Sequence, residues 1–313
     1  MNDLDRDYPW LSNLARSQHE MLDDLAKTAQ ISEHQNLTLA TCLNLVSSER
    51  LGRQDPHHYL CTLDDFVRRI IPEPTASPKR SGEIWRKLTG GTSASAQGAD
   101  VQGTAFLDAL VEATWYLAFS SQGIPFEFER PFDRSDRRAT NSSKNADFAV
   151  ELDGTTLWLD AYSVGFSKMT KRPTGTCSLD GYTVKFYPAG RGSVDVKGVA
   201  VELEQRIKQK FDSKFRPWVG KGELGRCPVG ILLCVLKSEL RVVGQFLANP
   251  GGFRALPPPA DLFGDAYPGL EVVLVHTIHP DPNGAMLRPV SLWNWARNPA
   301  ETTVTKLLSI LAT

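Results

Sequence analysis

Apolar residues recur at helical spacing through the first part of the chain. Leu11, Leu14, Leu22, Leu25 and Ala29 follow this rhythm, and segments 37–51 and 63–71 repeat it, so the spacing predicts a helical subdomain over residues 1–72. Thr62 followed by Asp65 resembles a capping box opening the last of these helices, and Pro72 and Pro74 stop it. Residues 73–103 lose the rhythm. Rich in Pro, Ser, Gly, Thr and Ala, they read as a linker or mobile loop. From Thr104 the pattern changes again, and residues 104–313 read as one α/β domain with a mixed central sheet flanked by helices. In 104–122, Phe106, Leu110, Ala113 and Leu117 form an apolar stripe with Trp115, Tyr116 and Phe119 on its flanks, a helix buried on more than one side and closed by Gly123. Residues 124–131 alternate as a strand does, and 182–187 read as another strand. A helix over 194–215 carries Val199, Leu203, Ile207 and Phe211 on one face, with lysines and arginines assigned to its solvated face. The apolar runs 229–236 and 270–278 read as strands buried on both sides. A short helix at 238–247, an edge strand at 290–295 and a closing helix at 302–311 complete the expectation.

The most informative stretch is NADFAVELDGTTLWLDAYSV, residues 145–164. Asp153-Gly154 between two apolar runs signals a tight hairpin turn. Counting from a two-residue loop sets Leu152 opposite Thr155, Val150 opposite Leu157 and Asp147 opposite Asp160. Side chains alternate along the second strand, so Thr156, Trp158, Asp160 and Tyr162 share a face. Directly opposed like charges destabilise a hairpin. The pair therefore calls for a positive partner, with a divalent cation as the first expectation, or for protonation of one acid, unless both acids are hydrated at an exposed strand end. Glu112 falls among the aromatics of helix 104–122, where a carboxylate is costly unless it is paired or bound to metal. A rim ion pair with a nearby arginine is the alternative.

Composition narrows the picture only slightly. The formal net charge of -1 over 313 residues leaves any basic surface local. Two such segments exist: the 133–144 loop with Arg137, Arg138 and Lys144, and the stretch with Lys168 and Lys171. The five cysteines form no C-x-x-C pair and read as free thiols. With no secretory start and no membrane-length apolar run, a cytoplasmic location and no membrane partner are expected. His57, His58 and Cys61 fall in what reads as a polar surface loop, and Gly90-Gly91 lacks the spacing of a phosphate loop.

The order helix, strand, strand, strand, helix, strand, with Glu112, Asp147 and Asp160 on the first helix and the hairpin, resembles the PD-(D/E)XK nuclease superfamily over roughly residues 104–237. The resemblance implies a restriction-endonuclease-like fold whose acids hold Mg²⁺ or Mn²⁺ for phosphodiester hydrolysis. Asp147 and Asp160 would be the metal ligands, and Glu112 a third ligand or a supporting acid. The pattern's lysine falls at Tyr162, whose phenol can orient water or phosphate but supplies no ammonium. Lys144, Lys168, Lys171 or Lys185 is then asked to reach in. The expected function is a metal-dependent nuclease acting on nucleic acid, DNA before RNA, with Arg137, Arg138, Lys144, Lys168 and Lys171 on the phosphates. The alternatives are a catalytically degenerate module that binds nucleic acid or protein, and an acid pair holding a structural ion. The N-terminal helices are candidates for docking a protein partner.

Overall fold

The computed structural model describes residues 3–28, 38–47, 55–89, 104–133, 145–164, 175–179, 182–186, 196–235, 262–281, 284–297, 305–307 and 309. The chain forms two compact units. The first is Met1–Gly123 with Ala161–Ser163 and Ile278–Pro289; the second is Ile124–Asp160, Val164–Thr277 and Val290–Thr313.

The first unit is helical: α1 (Asp3–Asp7), α2 (Pro9–Ser17), α3 (Leu22–Thr28), α4 (Leu39–Ser47), α5 (Asp55–Ile70), α6 (Pro78–Thr89) and α7 (Thr104–Ser121). Pro9 opens α2, where its missing N–H costs nothing. Leu11, Leu14 and Ala15 of α2 are fully buried, as are Leu60, Leu63 and Val67 of α5. Sequence and structure differ at three places. The capping box expected at Thr62 is absent, because α5 runs unbroken from Asp55. Thr62 sits in its interior, donating to the His58 carbonyl at 2.8 Å and accepting the Leu287 N–H at 2.8 Å, while Asp65 pairs with Arg68 and Arg69. The polar DPHHY segment is the first turn of α5, and the His57 Nδ1 lies 2.6 Å from the Tyr8 hydroxyl. Part of the expected linker is α6, whose Ser81, Ile84, Trp85 and Leu88 form a buried stripe. Helical spacing there outweighs the Pro and Ser content. Residues 90–103 lie outside the described residues, and α7 groups with this helical unit.

Asp64 of α5 accepts the Trp10 and Leu11 N–H groups, both at 2.8 Å, and so caps α2 from a neighbouring helix. Burial pushes its carboxyl up from 3.8 to about 6, against those two donors. Its native value lies above its ordinary one. Its contribution to stability is therefore complete below about pH 4 and is lost as pH rises through about 6. Asp64→Asn keeps the acceptor and removes the titration. We expect the variant to lack the wild-type decline in melting temperature across that window, and an unchanged pH profile would contradict this.

The second unit contains the sheet. Its strands are β1 (Phe126–Phe128), β2 (Phe148–Leu152), β3 (Thr155–Val164), then a separate hairpin β4 (Gly175–Leu179) and β5 (Tyr182–Phe186), helix α8 (Val196–Lys214), β6 (Val229–Val235), β7 (Leu270–Pro280) and β8 (Leu287–Ala296). The last residues of β7 and the first of β8 group with the helical unit. The sheet order is β1-β2-β3-β6-β7-β8. β1, β2 and β3 pair antiparallel and β6 pairs β7 in parallel, so the fold is α/β with a mixed sheet. Asp153 (φ 50) and Gly154 (φ 78) form the tight turn, and Lys306 pairs with the Asp153 carboxylate. The counted register is the observed one: Leu152 opposes Thr155, Val150 opposes Leu157 and Phe148 opposes Leu159. Every residue of β6 is buried. A Cβ at Gly230 would lie 2.6 Å from Leu159 Cδ2 and from Val272 Cγ1, so any side chain there forces these packed neighbours to shift.

No helix among the described residues is long and apolar enough to cross a membrane. Cys42, Cys61, Cys227 and Cys234 are free thiols. The segment 238–247 lies outside the described residues.

Candidate functional site

Continued by one residue past Phe148↔Leu159, the observed register sets Asp147, just before β2, across from Asp160 of β3. Both carboxylates are buried; Asp160 is 0% exposed. The positive charge they require comes from α8. Lys214 Nζ lies 3.2 Å from Asp147 Oδ1 and 2.8 Å from Asp160 Oδ1. Lys210 Nζ lies 2.8 Å from Asp160 Oδ2. Lysines four apart share a helix face, which is why both reach one carboxylate. Lys214 is also the last residue of α8, where the helix dipole favours a cation.

The four groups are not equivalent. Lys214 donates an aligned hydrogen bond to Asp147. Both oxygens of Asp160 have ammonium groups close by, yet neither accepts a well-directed hydrogen bond. The Asp160 carboxylate is thus held chiefly by charge. Lys210 leads outward, with its side chain 27% exposed against 9% for Lys214. Counted as ion pairs, two carboxylates and two ammonium groups cancel. Desolvating such a cluster costs several kcal/mol per ion, repaid only by good geometry, so it is an expensive way merely to fasten a helix to a hairpin.

An aromatic platform supports the same face of β3. Trp158, two residues before Asp160, is buried against Phe132 (ring centroids 5.4 Å apart), which stacks on Trp218 at 5.7 Å. The Arg130 guanidinium lies 4.9 Å from the Trp158 ring centroid and 2.9 Å from Glu223 Oε2. Glu223 N–H donates to the Phe132 carbonyl at 2.8 Å. Gly222 (φ 54) permits this approach, since a Cβ there would run into that same carbonyl oxygen.

Glu112 and Tyr162, the other two expected catalytic residues, group with the helical unit. Glu112 is 7% exposed and pairs with Lys87 of α6 at 2.5 Å, so a lysine supplies the described ion pair where an arginine is the expectation. Tyr162 is buried on β3, within the three residues that group with the helical unit. Arg137, Arg138, Lys144, Lys168 and Lys171 lie outside the described residues. Of the lysines asked to reach in, Lys185 is on β5, whose described partner is β4. The lysines that do reach the acids, Lys210 and Lys214, belong to the charges that amphipathicity alone places on a solvated face.

Among the described residues, no group of three His, Cys, Asp or Glu side chains is placed to hold a metal. Two carboxylates still suit a hard cation such as Mg²⁺, which keeps several waters and takes one or two protein oxygens. The buried Asp160 oxygens without aligned hydrogen bonds fit that role. No family model, curated protein or solved structure matches this chain.

Proposed function

We propose that the protein is a metal-dependent nuclease, hydrolysing phosphodiester bonds from a restriction-endonuclease-like core centred on Asp147, Asp160 and Lys214. The observation that carries this reading is the Lys214 ammonium lying within 3.2 Å of both carboxylates. Carboxylates that can hold Mg²⁺ or Mn²⁺, beside a fixed ammonium that can meet phosphate oxygens, form the donor set phosphodiester chemistry asks of a protein. The order α7, β1, β2, β3, α8, β6, with β1, β2, β3 and β6 adjacent in the sheet, supports the same family reading. On that reading α8 supplies the ammonium that Tyr162 cannot.

A divalent metal, when bound, would supply Lewis acidity for attack on phosphorus. Asp147 and Asp160 would hold it, Lys214 would meet charge gathering on the phosphate, and Lys210 holds the second oxygen of Asp160. Glu112, neutralised by Lys87, and Tyr162 are given no step. The substrate we propose is nucleic acid, DNA before RNA. The basic segments with Arg137, Arg138, Lys144, Lys168 and Lys171 directly precede and follow the hairpin in sequence and are proposed to contact its phosphates. The charge balance of the cluster and the complete burial of Asp160 favour a second reading, a degenerate nuclease core in which the ion pairs are structural.

The test is strand cleavage of mixed single- and double-stranded DNA and RNA with Mg²⁺ or Mn²⁺. Wild type should cleave. Asp160→Asn should lose about a hundredfold or more, since a catalytic metal is worth several kcal/mol of transition-state stabilisation. Cleavage that survives Asp160→Asn would place the chemistry elsewhere. A folded wild type that cleaves nothing supports the second reading.

A further inference from the structure

We infer that Lys214 is an internal stand-in for the metal, so that the divalent cation and the nucleic acid can enter only together. The inference rests on the nuclease reading and adds to it a mechanism of regulation. The Lys214 ammonium lies between Asp147 and Asp160, at 3.2 and 2.8 Å, and its side chain is 9% exposed. It therefore fills the position a cation shared by the two acids must take. Lys210 holds the other Asp160 oxygen at 2.8 Å, so Asp160 keeps a counter-ion when Lys214 leaves. The charge count sets the order of events. In the described ion pairs the two acids and two lysines already balance, and a divalent ion added alone brings two further positive charges into a buried site, which is strongly unfavourable. Incoming phosphate anions remove that excess. They also give Lys214 a new partner, and its four-carbon stem lets the ammonium swing from carboxylate to phosphate without moving α8. Metal and polyanion then bind with positive coupling, and the protein does not hold the metal while idle.

The experiment is a Mn²⁺ titration of the full chain, following free Mn²⁺ by electron paramagnetic resonance. It is run without and with an oligonucleotide of phosphorothioate linkages, which slow cleavage. Wild type should bind Mn²⁺ about tenfold or more tightly when the oligonucleotide is present, within the usual range of coupling between sites. Lys214→Met should bind Mn²⁺ tightly without oligonucleotide and show little further gain. Asp160→Asn should bind weakly in both conditions. If wild type and Lys214→Met bind Mn²⁺ equally tightly without oligonucleotide, the metal site stands and the stand-in role is overturned. If neither binds Mn²⁺ under any condition, the nuclease reading fails and takes the inference with it. Should Lys214→Met not fold, wild type alone still decides. Reciprocity requires Mn²⁺ to tighten oligonucleotide binding by the same factor, and independent binding of the two overturns the proposal.

Discussion

Replacing Lys214 by methionine is expected to destabilise the protein by about 3–5 kcal/mol, the cost of breaking a buried ion pair from one side. Asp147 then loses its aligned hydrogen bond, and Asp160 keeps only Lys210. Lys210→Met should cost clearly less, because its side chain is three times as exposed and Asp160 retains Lys214. The two effects should not be independent. Adding Asp147→Asn to Lys214→Met should recover part of the loss, because the uncompensated charge goes with it, and a double-mutant cycle measures the coupling. Denaturant unfolding at neutral pH is the readout. Equal, small losses for both lysines would mean that water, not α8, neutralises the acids.

Trp158→Ala is expected to cost a similar amount, about 3–5 kcal/mol, for a different reason. The ring is 1% exposed, packs on Phe132 and lies under the Arg130 guanidinium. Truncation leaves a cavity beside the Phe132 ring and strips Arg130 of its aromatic face. Trp158→Phe refills part of that volume and should cost less than half as much. The indole N–H is buried without a hydrogen-bond partner, so its removal carries no compensating loss. Thermal unfolding separates the two variants, and an alanine variant within about 1 kcal/mol of wild type would contradict the packing account.

The hairpin was the most legible part of the chain. A two-residue Asp-Gly turn admits few registers, and β-strand alternation then fixes which side chains share a face. That is why Asp147 and Asp160 could be opposed by counting. The strands at 229–235 and 270–280 were legible because a strand covered on both faces becomes one apolar run. The helix 78–89 was not, because Pro78, Ser81 and Gly82 mask a stripe that only Ile84, Trp85 and Leu88 reveal. The lysines of α8 are legible only against the stripe itself. Lys210 and Lys214 follow Leu203 by seven and eleven positions, which puts them within the stripe defined by Leu203, Ile207 and Phe211. A charge inside an apolar stripe, as opposed to across from it, signals an internal partner, and the two acids were already waiting. The pairing of Glu112 with Lys87 is out of reach of the sequence, because the Pro and Ser content of α6 reads as linker.

The most direct measurement is anomalous diffraction from Mn²⁺ in crystals of the protein with a phosphorothioate oligonucleotide. An anomalous peak bonded to carboxylate oxygens of both Asp147 and Asp160, with the Lys214 ammonium moved from the acids to a phosphate, is the expected result. Lys214 still bridging the two carboxylates while nucleic acid is bound and Mn²⁺ sits elsewhere would contradict it, leaving the acid–lysine cluster a structural clasp.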